Sequence, residues 1–169
     1  MAYQAHISIK GTKQGQFKGE GTQDARKDKW IPVLSFSNEV QSPRDVATGM
    51  PSGKRQWGAV KIVKEWGAAS PQGLGACVTN ETLTDVQVEF TKTKDSGEEY
   101  VYQKVKLTNA TIAGIRRFTG DSATGESSSR HTSSDDTMEL EEWALTFQKI
   151  EVDDTDGQTS FMDDWKSTT

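Results

Sequence analysis

Alternation of apolar and polar side chains constrains this chain more than any other feature of its sequence. In residues 3–9, Tyr, Ala, Ile and Ile share one parity while polar residues occupy the other. The same period of two recurs in residues 86–90 and 143–147. Because successive side chains of a strand point to opposite faces, this pattern predicts half-buried strands with one polar face. Asp95-Ser96-Gly97 is predicted to close a hairpin between two such strands.

The predicted fold class is mainly β: about seven short strands, one short α-helix and three long extended loops. Only 33% of the residues are hydrophobic. A sheet this polar would aggregate through free edges, which favours a small antiparallel β-barrel, closed or nearly closed. The barrel is assigned to residues 1–152, and residues 153–169 are interpreted as an acidic C-terminal tail in which Trp165 has no predicted core role. A change of parity after Phe147 predicts a bulge near Gln148.

One short helix is predicted after residue 69. Ser70 is the expected N-cap and Pro71 the first helical residue, where its missing N–H costs nothing. Asn80 is expected to end the helix in the left-handed conformation. The predicted core-facing residues have helical spacing and are Leu74, Cys77 and Val78. Gly73 and Gly75 weaken the helix, so it must be held as a plug by packing on the core.

Two internal segments differ from the strands around them. Residues 41–56 form a predicted extended loop that is unusually apolar, with Val46, Ala47 and Met50. Residues 119–137 are rich in Ser and Thr and are predicted to form a mobile loop. These two segments are the longest predicted insertions between the strands of the barrel.

Charge is distributed unevenly along the chain. Residues 1–58 carry nine Lys and Arg against five Asp and Glu, whereas residues 59–169 carry eleven against twenty. Opposite signs suit head-to-tail self-association, although charge alone favours two solvated faces of a monomer. The net charge of -5 argues against nucleic-acid binding. No apolar run is long enough for membrane insertion or a cleaved signal, so any export would use another route.

No catalytic, metal or cofactor site is predicted. The lone Cys77 permits neither an intramolecular disulfide nor a thiolate zinc site. Residues 49–55 lack the glycine spacing of a phosphate loop, and residues 152–163 lack the first ligand of a calcium loop. His6 is expected on the polar face of a strand and His131 in the Ser/Thr-rich loop, neither held for catalysis.

Four stretches resemble the haemolysin-coregulated protein (Hcp) family, the tube subunits of bacterial type VI secretion systems. They are WIPVLSF at 30–36, the extended loop 41–56, VKIVKE at 60–65 with the following Ala-Ser-Pro and helix, and ELEEWALTFQKIE at 139–151. The strand-into-helix stretch is the most specific. The chain departs from the family at Trp66-Gly67, where an aliphatic residue and an acid are expected.

The resemblance implies a structural tube subunit rather than an enzyme. Hexameric rings with a wide lumen would stack into a tube, surrounded by a contractile sheath, built on a baseplate and tipped by a spike. The tube would assemble in the cytoplasm and then be expelled, with effectors in its lumen. The family's extended loop reaches the neighbouring ring, a role that falls here on Val46, Ala47, Met50 and Pro51.

Two alternatives stay open at this point. The first is a monomeric β-barrel module that binds a small ligand or peptide inside the barrel. The second and weaker is an enzyme, since no triad, metal set or phosphate loop is evident in the sequence.

Overall fold

A computed structural model of the chain describes residues 4–21, 28–119 and 139–165. The strands are β1 (Gln4–Gly11), β2 (Gly15–Gln16), β3 (Ile31–Val33), β4 (Ser35–Ser37), β5 (Val40–Gln41), β6 (Gln56–Trp57), β7 (Val60–Glu65), β8 (Leu83–Thr93), β9 (Glu99–Thr119), β10 (Glu139–Thr146), β11 (Lys149–Asp154) and β12 (Thr159–Asp164). The described helix is α1 (Ser70–Thr79). The predominance of strands confirms the predicted fold class.

The strands pair in antiparallel fashion in the order β2-β1-β8-β9-β10-β7-β4. β3 also pairs with β1, while β11 pairs with β9 and with β12. β5 and β6 form a separate small ladder. Between the described strands, the hydrogen-bond ladder of this barrel-like fold does not close into a complete circle.

β9 joins the two halves of the fold. Its first half pairs with β8 and β11, and its second half, from Thr111 onward, pairs with β10. The chain runs as one continuous strand from Glu99 to Thr119. Asn109 has a φ of 51° at the crossing point, a conformation that Asn tolerates better than most residues. The local kink lets one strand serve both halves.

The core follows the predicted alternation. Ile7 and Ile9 of β1 are fully buried, as are Val86 and Val88 of β8. Trp143 and Leu145 of β10 are also fully buried. His6 departs from its prediction: it is only 6% exposed, on a strand that pairs with β3 on one side and with β8 on the other.

α1 ends as predicted but packs through a different face. Asn80 is left-handed, with φ 54° and ψ 39°. The buried helix residues are small, namely Ser70, Gly73 and Ala76, while Val78 is 81% exposed, contrary to prediction. A Cβ on Gly73 would clash with the Trp143 ring. The indole thus lies against the helix backbone, which only small residues permit.

Ser70 does not cap the helix, contrary to its prediction. The N-cap position is Ala69, Pro71 lies in the first turn, and no side chain of a described residue caps the N-terminus. The Ser70 hydroxyl instead accepts a hydrogen bond from the Gly67 N–H at 3.0 Å. Leu74 and Cys77 are half-buried, and Cys77 packs against the core.

Much of the predicted acidic tail that the structure describes, residues 153–165, is strand. Residues 149–154 form β11 and residues 159–164 form β12, so the assigned boundary at 152 falls inside a strand. The predicted bulge near Gln148 is a break between β10 and β11 instead. Asp154 Oδ1 accepts the Gly157 N–H at 2.7 Å, so the calcium-like spacing belongs to a hairpin turn. Residues 120–138 and His131 lie outside the described residues.

Candidate assembly interface

Residues 40–57, hereafter the arm, leave the fold as a long irregular hairpin. β5 and β6 pair at its base, and Arg44 forms a bridge with Pro51 further out. This region corresponds to the predicted extended loop 41–56, but its backbone is organised by the β5–β6 pairing and by the Arg44–Pro51 bridge. The arm therefore has a defined shape while standing away from the core.

A carboxylate fixes the turn at the tip of the arm. Asp45 Oδ1 accepts the N–H groups of Ala47 at 2.8 Å and Thr48 at 3.0 Å. These bonds, from Thr48 first and then Ala47, lower the pKa of Asp45 below its ordinary value. Gly49 has a φ of 72°, which a glycine adopts without strain. The closed turn therefore spans Asp45 to Met50, where the Asp45 N–H also donates to the Met50 carbonyl at 2.8 Å.

The tip exposes apolar side chains to solvent. Val46 has a relative exposure of 103% and Met50 one of 64%. Ala47 and Pro51 are exposed beside them. The structure therefore brings all four predicted ring-contact residues together at one tip, in an arrangement that leaves their apolar surface uncovered.

The base of the arm is clamped to β12. Trp57 Nε1–H donates to Asp163 Oδ2 at 2.8 Å, and the Arg55 Nε–H donates to the same oxygen. The Arg55 guanidinium also donates to the Asp164 carbonyl at 2.8 Å. Arg55 lowers the pKa of Asp163, with Trp57 adding to the effect, because both donors favour the charged carboxylate.

Three aromatic rings continue this clamp. Trp57 packs edge-to-face on Phe147, with ring centroids 5.7 Å apart. Trp165 also packs edge-to-face on Phe147, with ring centroids 6.1 Å apart. Trp165, which had no predicted core role, therefore supports the arm through Phe147.

A buried charge cluster lies at the other end of β7. Lys64 and Glu141 are both 0% exposed, and Lys64 Nζ lies 2.8 Å from Glu141 Oε1. Ser70 Oγ donates to the same carboxylate at 2.8 Å, and Arg117 Nε lies 3.2 Å from its other oxygen. Glu20 Oε1 lies 3.2 Å from Lys64 Nζ. Charges so buried persist because each is paired and hydrogen-bonded.

The parity of Lys64 and Glu141 along their strands indicates this cluster, although the cluster was not predicted. Lys64 has the same parity as Val60 and Ile62, which are buried on β7. Glu141 likewise has the parity of the buried Trp143 and Leu145 on β10. Opposite charges at core-facing positions of two strands indicate a cross-strand pair, and the observed register sets Glu141 directly opposite Lys64.

Comparison with known proteins places the chain in a family. The family model described as "Type VI secretion system effector, Hcp" matches residues 6–153. The chain belongs to the Hcp family. A Pseudomonas aeruginosa relative described as "Major exported protein" is 32% identical over 177 aligned positions, covering 99% of this chain and 98% of the relative. The resemblance stated from the sequence is confirmed.

Solved Hcp structures share the fold. A crystal structure of an Hcp protein superposes with a TM-score of 0.84 at 27% identity, covering 98% of this chain and 99% of that one. The secreted protein Hcp3 from Pseudomonas aeruginosa gives a TM-score of 0.75 at 28% identity, covering 98% and 100%. The antiparallel fold described above is therefore that of Hcp proteins.

The departure at Trp66-Gly67 has a structural reason in this Hcp chain. A Cβ on Gly67 would clash with the Glu20 carboxylate, which crosses this position to reach Lys64. The Ala69 N–H also donates to Glu20 Oε1 at 2.8 Å. Glu20 supplies the carboxylate that pairs with Lys64 here, and Gly67 leaves the space that this carboxylate occupies.

Within the described residues, no helix combines the length and apolarity needed to cross a membrane. In the same part of the chain, no three His, Cys, Asp or Glu side chains are grouped to hold a metal ion. That the chain is not an enzyme stays a prediction.

Proposed function

We propose that this chain is the structural tube subunit of a type VI secretion system. Six copies close into a ring, and rings stack head to tail into an inner tube. A contractile sheath, mounted on a baseplate, expels the tube with its spike, and effectors travel in its lumen. The tube assembles in the cytoplasm and is then secreted. Membership of the Hcp family supports this assignment.

The arm is the observation that carries the proposal. Its tip presents Val46 and Met50 to solvent, whereas its base is clamped by Asp163 and the aromatic rings. An isolated subunit gains nothing from holding apolar side chains in water on a fixed projection. A contact with the next ring would cover them, as the family resemblance implies for Val46, Ala47, Met50 and Pro51.

A second uncovered surface suits contacts within a ring. On β12, Phe161 is 54% exposed and Met162 is 59% exposed. These neighbours project from opposite faces of the strand. Among the described strands, β12 pairs only with β11, so its other edge is open. An open edge with apolar side chains invites pairing with another chain, which closure of a ring would satisfy.

Light scattering tests the proposal. We expect a mass near six times the 18.6 kDa of one chain, and ring-shaped particles by electron microscopy. Val46→Asp or Met50→Asp should leave the rings intact and block stacking, because a carboxylate would have to be buried at the contact. Val46→Thr, close in shape and uncharged, is the matched control and should still stack.

Two outcomes would contradict the proposal. A chain that stays monomeric at all concentrations would exclude the ring and favour the monomeric ligand-binding barrel. Loss of the ring in Val46→Asp, with the fold intact by circular dichroism, would show that the arm acts within a ring.

A further inference from the structure

A pocket of about 380 Å³ opens beside the buried charge cluster. It is lined by residues 19–20, by Pro32 and Leu34, and by residues 65–68. Leu34 is 53% exposed at its edge. The pocket volume lies in the range of roughly 300–1,000 Å³ that small ligands or inserted side chains occupy.

The walls of this pocket are preorganised. Trp66 Nε1–H donates to the Leu140 carbonyl at 2.8 Å, and the Arg117 guanidinium lies 4.2 Å from the Trp66 ring centroid. Glu20 is held by Lys64 and by the Ala69 N–H. A pocket whose walls are already fixed loses little conformational entropy when it is filled.

The pocket and the arm lie at opposite ends of β7. The arm returns to the fold at Trp57, three residues before β7 begins at Val60. The pocket is lined by Glu65, the last residue of β7, and by Trp66. At about 3.3 Å per residue, the strand separates them by roughly 17–20 Å. In a head-to-tail contact, one end of a subunit meets the opposite end of the next.

We propose that this pocket receives the arm tip of a second copy of the chain. Met50 and Val46 enter between Leu34 and Trp66, while cations of the arm face Glu65 at the rim. The inference deepens the proposed function, on which it rests, by naming the surface that each arm contacts on the neighbouring ring.

Shape and charge both support this occupant. The pocket offers the apolar surfaces of Pro32, Leu34 and Trp66, and a methionine sulfur packs favourably against an aromatic ring. Arg44 and Lys54 flank the tip in sequence, whereas Arg55, the third cation of the arm, is held by Asp163. The pocket contributes the carboxylate of Glu65, because Glu20 is already paired with Lys64. This is the charge complementarity that fixes register between copies.

Disulfide trapping tests the contact directly. Met50→Cys with Leu34→Cys, in a Cys77→Ala background, should give a ladder of cross-linked chains on a non-reducing gel after mild oxidation. A ladder rather than a dimer is expected because each copy donates one arm and offers one pocket. Met50→Cys with Val78→Cys is the matched control: Val78 is 81% exposed but lies on α1 outside the pocket lining, so it should give no ladder.

A charge exchange gives a second test that needs no oxidation. Leu34→Lys and Met50→Glu should each raise the ring concentration needed for stacking by about tenfold or more, since Leu34→Lys repels the arm cations and Met50→Glu is repelled by Glu65. The double variant Leu34→Lys/Met50→Glu should recover most of that loss, because every arm then meets a complementary pocket.

The outcomes separate this inference from the proposed function. Rings that stack normally without the ladder, or with Leu34→Lys harmless, would overturn the inference and leave the tube subunit standing. Pocket variants that abolish binding of another protein while stacking persists would also overturn it. A chain that never forms rings would overturn both.

Discussion

The Trp57 indole donates a hydrogen bond to Asp163 Oδ2 at 2.8 Å, across 106 residues of chain. Arg55 donates to the same oxygen, so one carboxylate holds both residues that lead out of the arm. The β11–β12 hairpin is therefore the support on which the arm stands. The β11–β12 hairpin, which has the composition of an acidic tail, thus fixes the arm. The arm is the part of the molecule proposed to contact the next ring.

Removing the negative charge of Asp163 should loosen the arm without disturbing the rest of the fold. Asp163→Asn keeps one acceptor oxygen for Trp57 but loses the ion pair with Arg55. We expect trypsin to cleave after Lys54 and Arg55 several-fold faster in this variant, measured by mass spectrometry. Asp153→Asn, which removes an exposed carboxylate from β11, is the control and should leave the cleavage rate unchanged.

Acid should release the same clamp. The pKa of Asp163 is lowered in the folded state, chiefly by the Arg55 hydrogen bond, from an unfolded value of about 3.9. A lowered pKa means that the stabilisation is complete above about pH 4 and is lost as the pH falls through the lower folded pKa.

The indole N–H resonance of Trp57, assigned with Trp57→Phe, should report this release in an NMR titration. We expect it to shift below about pH 4 in the native sequence. In Asp163→Asn the titrating group is gone, so the same shift there would contradict the assignment to Asp163.

Breaking the buried ion pair from one side should be costly. Glu141→Leu leaves Lys64 in the core with Glu20 as its remaining carboxylate partner, so the loss should be at most the cost of an uncompensated buried charge, about 3–5 kcal/mol. The double variant Lys64→Met/Glu141→Leu removes both charges and should lose less than half as much, since apolar replacements of buried pairs are often neutral. Guanidinium unfolding at a fixed protein concentration measures the loss of unfolding free energy in the single and in the double variant. Equal losses in the two variants would show that packing, not charge, dominates.

The two helix glycines should respond in opposite directions to alanine. Gly73→Ala forces a methyl group against the buried Trp143 ring and should destabilise the fold by about 1–3 kcal/mol. Gly75→Ala meets only Gln14 Nε2, at 3.6 Å, and should stabilise it by about 0.5–1 kcal/mol through helix propensity. Thermal melting of the two variants side by side distinguishes packing from propensity; equal shifts would contradict the close contact with Trp143.

Local pattern was enough to predict the strands that carry the core. The alternation around Ile7, Val88 and Trp143 identified buried positions because a strand turns each second side chain inward. The helix site and the left-handed Asn80 were also evident, since both depend on residues adjacent in the chain. The four stretches that resemble Hcp proteins identified the family.

Contacts between distant segments were decided by tertiary structure. Which helix face is buried depends on Trp143, whose ring lies against Gly73, while Val78 is exposed. Strand register pairs Lys64 with Glu141, and it brings Asp163 to Trp57. Hydrophobic alternation specifies which way a side chain points. It does not specify which partner lies opposite, because that depends on how strands far apart in sequence align.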